Sequence, residues 1–247
     1  MVAENGTAAP AGFFWSEVQH DTGNMTEANS IAGFAPLSGT FRLADNFTLT
    51  GTCTLQTVTF YAYQTGSPAT PSPFAGYTLQ IWNGRPGDGG SSVIFGDTTT
   101  NRLATSVDST IFRIFNTLVP VPTATGTTRK IWANTVTIGT TLAAGTYWFD
   151  WNSAATNAAA HFQPSKTVAG ARGQAGDNGR QLTVGTGIWA DAVDLGNPAT
   201  APDVIQDFPF DVVGVPGPVP QAESESSPEA KEVGLLTRIS NFFFGAG

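Results

Sequence analysis

The stretch Thr140–Trp151, T-T-L-A-A-G-T-Y-W-F-D-W, constrains the fold more than any other. Tyr147, Phe149 and Trp151 alternate with Trp148 and Asp150. Successive side chains of a strand point to opposite faces, so aromatics on both parities describe a strand covered on both sides. Leu142 and Gly145 read as the approach and turn into it. A central strand of this kind needs neighbours, and the rest of the chain supplies segments of the same character.

Phe41–Leu49 alternates as a strand, and Leu55–Tyr63 does so with a fuller apolar content. Tyr77, Leu79 and Ile81 share one parity in Tyr77–Trp82. Val93–Phe95 is a short strand and Lys130–Ile138 a longer one. Ser109–Leu118 fits helical and strand spacing equally, and the surrounding β pattern favours strand. Phe13–Trp15 opens the apolar part of the chain. Gln19–Ser38 reads as a long loop or a short helix, residues 170–181 as an exposed loop, and Leu182–Trp189 as a strand broken by glycines. Phe208–Val213 closes the series, with Pro209 arguing for an edge position. The cluster N-G-R-P-G-D-G-G-S-S over Asn83–Ser92 is turn chemistry. Strands every 10–20 residues joined by long loops predict an all-β fold, an antiparallel β-sandwich of jelly-roll type, and not alternating β and α units.

The boundaries follow from composition. Residues 1–12 are a small, polar lead-in, residues 13–214 the β-sandwich domain, and residues 215–228 a Pro- and Ser-rich linker. Residues 229–247 follow as a C-terminal amphipathic helix. Ser227-Pro228-Glu229 has the residues of a helix start. Leu235, Ile239 and Phe242 then fall on one stripe with Leu236 and Phe243 beside it, and Gly245 ends the run. These five apolar residues form a candidate interface.

Charge removes whole classes of function. Nineteen acidic residues against eleven basic ones leave a net charge of −8, which repels nucleic acid and anionic membranes. No run of eighteen apolar residues exists, so no membrane span is expected. Charged residues are only 12 % of the chain, and low charge with abundant Thr and Gly suits a secreted or cell-surface β protein. Met1-Val-Ala-Glu-Asn has neither the basic nor the apolar part of a signal peptide, so either a leader has been removed, the reading that the export-type composition favours, or the protein stays in the cell. Cys53 is the single cysteine. It lies in an alternating run and reads as a small buried hydrophobe.

Several stretches together resemble a known family. Leu43-Ala-Asp-Asn-Phe47, Leu55–Tyr63, Tyr77–Trp82, Leu142-Ala-Ala-Gly-Thr-Tyr-Trp148 and Asp207-Phe-Pro-Phe210…Gly214 occur in the order seen in an uncharacterised β-sandwich domain of secreted bacterial proteins. That domain is often found ahead of PEP-CTERM-type sorting signals. The resemblance covers roughly residues 13–214, and A-G-T-Y-W is its most specific part. It implies an exported jelly-roll-like module with no catalytic residues to carry over. The C-terminus departs from the pattern, having no Val-Pro-Glu-Pro motif, no membrane span and no terminal Arg cluster.

Catalytic chemistry finds little material. Gly-x-Ser-x-Gly is absent, and His20 and His161 are isolated in loop sequence. Two histidines and one cysteine make a poor zinc set. No cofactor is expected, with calcium the one ion that the loops can accommodate. Asp177 and Asn178 in D-N-G, and Asp191 and Asp194 in W-A-D-A-V-D, are hard oxygen donors in Gly-rich surroundings. Asp-Asn-Gly is equally an ordinary turn, and Asp88 lies in a similar one. Trp132, Trp148 and Trp151 read as core. Trp82 and Trp189 border loops and are candidates for stacking against a carbohydrate ring. Asn5, Asn24 and Asn46 open N-x-Ser/Thr sequons. The Thr alternation of Thr48–Thr59 suits an ice-binding face or plain solvated strand. The expected function is a non-enzymatic surface protein that self-assembles through its sandwich and tail. The alternative is a carbohydrate- or surface-binding module, calcium-stabilised if the ion binds.

Overall fold

A computed structural model of the chain describes residues 11–12, 14–16, 29–66, 70–114, 126–158, 160–166, 172–217 and 237–240, with backbone alone at 14–16 and 237–240. The described residues contain strands and no helix.

The strands are β1 (Phe14–Ser16), β2 (Phe41–Leu49), β3 (Cys53–Gln64), β4 (Phe74–Trp82), β5 (Val93–Asp97), β6 (Leu103–Arg113), β7 (Lys130–Leu142) and β8 (Gly145–Ala155). After them come β9 (His161–Phe162), β10 (Arg180–Thr183), β11 (Ile188–Asp191), β12 (Val193–Asp194), β13 (Val204–Ile205), β14 (Phe210–Pro216) and β15 (Thr237–Ser240). One sheet has the order β1-β6-β7-β3-β14-β15, with β9 on β3. A second has the order β11-β10-β2-β8-β4-β5, and β12 and β13 form a small ladder. All ladders between these strands are antiparallel except β1 with β6.

The two large sheets meet through aromatic rings. Phe60 of β3 stacks on Trp151 of β8 at 4.3 Å, and Phe149 of β8 meets the edge of Phe210 of β14 at 5.4 Å. Phe47 of β2 stacks on Phe149 at 4.2 Å. Leu43, Leu55, Val58, Leu79 and Ile81 complete this core without solvent exposure. Trp151 also donates its indole N–H to Gln163 Oε1, so its polar edge is satisfied.

β8 is central, as its sequence predicts, with β2 and β4 on either side. The predicted stretch spans the end of β7, a turn at Ala143–Ala144, and the start of β8. Phe149 and Trp151 are fully buried, whereas Tyr147 is half-buried because it stands next to that turn and donates its hydroxyl to Ala143 O.

Several boundaries differ from expectation. Leu182–Trp189 is not one strand but the hairpin β10–β11, because Gly185 and Gly187 lie in the turn between its arms and Gly187 takes a positive φ of 68°. Within 170–181, Arg172 is buried and donates to the carbonyls of Asp194 and Pro202. β14 begins after Pro209 and continues through Pro216, two residues into the expected linker.

β14 is also not an edge. It pairs with β15, setting Asp211 opposite Ser240, Val212 opposite Ile239, Val213 opposite Arg238 and Gly214 opposite Thr237. The expected C-terminal helix gains no support, since Thr237–Ser240 is a strand. The free edge of β14 offers a row of N–H and C=O partners, and β-branched Thr237 and Ile239 suit a ladder better than a helix. Of the five apolar interface candidates only Ile239 falls on a described residue; Leu235, Leu236, Phe242 and Phe243 lie outside them.

Candidate functional site

Two regions collect polar side chains with aromatic surroundings. The first is the outer face of the sheet that contains β8. Arg42 of β2 and Asp150 of β8 form a buried ion pair at 2.5 Å, and Arg42 also reaches Asp150 O at 3.0 Å and Thr78 Oγ1 at 2.8 Å. Thr78 donates onward to Asn152, and Trp82 donates its indole N–H to the other Asp150 oxygen at 3.1 Å. Burial pushes the Asp150 carboxyl above its ordinary range, and the Arg42 guanidinium opposes that shift.

Over this network lies the loop Asn83–Ser92. Its Arg85 stands 5.9 Å above the Trp148 ring and contacts Asp191 at 2.5 Å. Arg180 donates to Pro86 O and Trp189 O. Gly87, at φ +91°, lies where any side chain would meet Arg180 and Trp189 at 3.0 Å, so only glycine lets the loop seat here. Trp82 and Trp189 meet edge to face at 6.5 Å. The two stacking candidates, distant in sequence, are therefore neighbours, and both are half-buried.

The second region is an open groove of about 410 Å³ between β2 and β14. Phe47 and Leu49 line one side, with Phe210 and Val212 on the other. Its polar end holds Lys166, which contacts Asp177 at 2.7 Å and Asp207 at 3.2 Å. Burial alone would lower the Lys166 ammonium, but these carboxylates outweigh it and hold it above its ordinary value. Asp45 accepts hydrogen bonds from Phe208 N and Asn46 N, both at 2.7 Å. Burial, and next the Asp207 carboxylate, raise its pKa well above the ordinary 3.8. Asp207 is raised as well, by burial first. Sequence reading passed over Asp45 and Asp207 as functional candidates. The available signal was a carboxylate at an inward parity between Leu43 and Phe47.

The calcium candidates each have partners within the protein. Asp177 is engaged by Lys166 and Gln174 N, and Asn178 N donates to Asp207. Asp191 meets Arg85 and Arg180. Asp194 is buried and accepts from Asn29, Ser30 and Gly196 N. No group of three or more His, Cys, Asp or Glu suited to a metal occurs among the described residues. Asp88 contacts Arg85 and Arg180.

His20 lies outside the described residues. His161 is not in a loop but buried on β9, with its ring nitrogens facing the carbonyls of Asn157 and Ser153. Cys53 is half-buried beside the core at the start of β3, and burial raises its thiol pKa. Along β3 and β7 the hydroxyls of Thr54 and Thr141, and of Thr59 and Thr135, hydrogen-bond to each other. The chain matches no protein-family model, no curated protein and no solved structure.

Proposed function

We propose that the chain is a jelly-roll-like β-sandwich with a non-enzymatic structural role, secreted or at a bacterial cell surface, and that copies assemble by exchanging the C-terminal strand. The supporting observation is the pairing of β15 with β14. Four residues of ladder complete a sheet edge, and residues 217–236 stand between that strand and the end of β14. A connection of this length reaches about 60 Å at full extension. The same ladder therefore forms on the chain's own β14 or on that of a neighbour, with the same backbone hydrogen bonds. Strand exchange of this kind is a low-cost route to closed or open assemblies.

Light scattering and negative-stain microscopy of the full chain test this reading. Assemblies that disappear on deletion of residues 237–247, with the sandwich still folded by circular dichroism, are expected. A full chain that stays monomeric at every concentration removes strand exchange from the account.

The Trp82–Trp189 pair supports a second reading, a carbohydrate-binding module. Two half-buried indoles flanked by Arg85, Asp88 and Asp191 combine stacking surface with hydrogen-bonding groups. Pull-down on insoluble polysaccharide that Trp189→Ala abolishes is its expected signature. Equal retention of wild type and variant removes these indoles as the platform.

A further inference from the structure

We infer that the end of β6 holds a small-anion site, in which Nη1 of Arg113 binds a chloride ion. Arg113 is the last residue of β6, and it is fully buried. A guanidinium carries its charge at neutral pH and has five N–H donors. Its partners here are few and neutral. Nε donates to Ala32 O at 3.2 Å and Nη2 to Ile31 O at 3.5 Å. The Ala32 carbonyl is shared, because the Tyr63 hydroxyl donates to it at 2.8 Å. Among the described residues, Nη1 finds no hydrogen-bond partner.

No carboxylate closes this gap. Among the described residues, none forms an ion pair with Arg113. The charge of Asp194 reaches it, but the Asp194 oxygens are already taken. Oδ1 accepts from Ser30 N, Ser30 Oγ and Gly196 N, and Oδ2 accepts from Asn29 Nδ2. Asp194 therefore acts from a distance and not by contact. Burial lowers the Arg113 guanidinium to about 10, Asp194 opposes that shift, and the charge of Arg129 adds to it. On the neighbouring strands Tyr63, Ile111 and Ile131 form an apolar cluster that packs on Ala32. A charge buried in such surroundings is costly unless a counter-charge touches it.

The chemistry selects the ligand. A water would satisfy the N–H groups of Nη1 but not the charge. A monovalent anion answers both needs. Sulfate or phosphate asks for more donors than Nη1 offers, and brings extra negative charge toward Asp194. A monatomic ion such as chloride needs only the free N–H groups. Bound there, it would join the end of β6 to the Ile31–Ala32 segment through one guanidinium.

Thermal unfolding of the full chain in chloride, with gluconate holding the ionic strength constant, tests this. Chloride is expected to raise the melting temperature along a saturating curve, by about 3 °C or more at saturation. In Arg113→Met that dependence is expected to disappear, since no charge is buried there. A flat wild-type curve, the result if water alone meets Nη1, overturns the inference. So does a rise that never saturates, or a variant that keeps the wild-type dependence. A second measurement needs only the wild type and so does not depend on the variant folding. Crystals grown in bromide are expected to show an anomalous peak in contact with Arg113 Nη1. Absence of a peak there overturns the assignment.

Discussion

The two faces of β8 are both buried and are held by different physics. Toward β3 and β14 it presents Phe149 and Trp151, which pack on Phe60, Phe208 and Phe210. Toward the Asn83–Ser92 loop it presents Trp148 and Asp150, which meet Arg85, Arg42 and Trp82. The inner face needs volume and shape. The outer face needs each donor and acceptor to find its partner, because a buried polar group without one costs free energy. The inner face is therefore tolerant of shape-conserving exchange, and the outer face tolerates only concerted change.

The largest expected effect tests the inner face. Trp151→Ala removes a fully buried ring stacked on Phe60 and is expected to cost about 3–5 kcal/mol in urea denaturation. A loss under about 1 kcal/mol would show that the aromatic stack does not organise the two sheets.

The outer face responds differently to single and double changes. Asp150→Ala strands the Arg42 charge in a buried site and is expected to cost about 3–5 kcal/mol. The double variant R42M/D150L removes both charges and is expected to be clearly less destabilised than Asp150→Ala, though not neutral, because the Trp82 indole N–H loses its acceptor. A double variant as unstable as the single one would mean that the pair does not behave as a unit.

A smaller effect appears with pH. Asp45, Asp150 and Asp207 all have raised pKa values, burial being the first cause of each. Across the interval between the unfolded value near 3.8 and the folded values, the native state binds more protons than the unfolded one. Stability therefore rises as pH falls from neutrality into that interval. Asp97 acts in the opposite sense, since the Thr100 and Thr99 backbone donors hold it below its ordinary value. Its contribution is present above the unfolded pKa and is lost as pH falls below it. Urea midpoints measured against pH are expected to peak on the acid side of neutrality, with a shallower rise in Asp45→Asn. A midpoint that falls steadily from pH 7 downward would contradict these signs.

The smallest expected effect concerns calcium. Asp177, Asp191 and Asp194 are each occupied by protein donors, so a chelator is expected to leave the melting temperature unchanged. A fall on chelation would show an ion bound to the native state.

Period-two alternation was legible in the sequence because it is a local property. It located β2, β3, β4 and the central β8, including its two covered faces, within a few residues. Turn chemistry located the Asn83–Ser92 loop for the same reason. Pairings between distant segments were not legible. Arg42 with Asp150, Trp82 with Trp189, and Asp45 with Asp207 are separated by many residues, and only the order of strands in the sheets brings them together. The C-terminal segment shows the limit most clearly. Its apolar spacing fits a helical stripe, but the open edge of β14 offers hydrogen-bond partners that no local pattern records, and Thr237–Ser240 takes them. Local side-chain periodicity determined which segments become strands. Partner choice among sheet edges, which depends on what the rest of the chain leaves unpaired, was decided only in the tertiary structure.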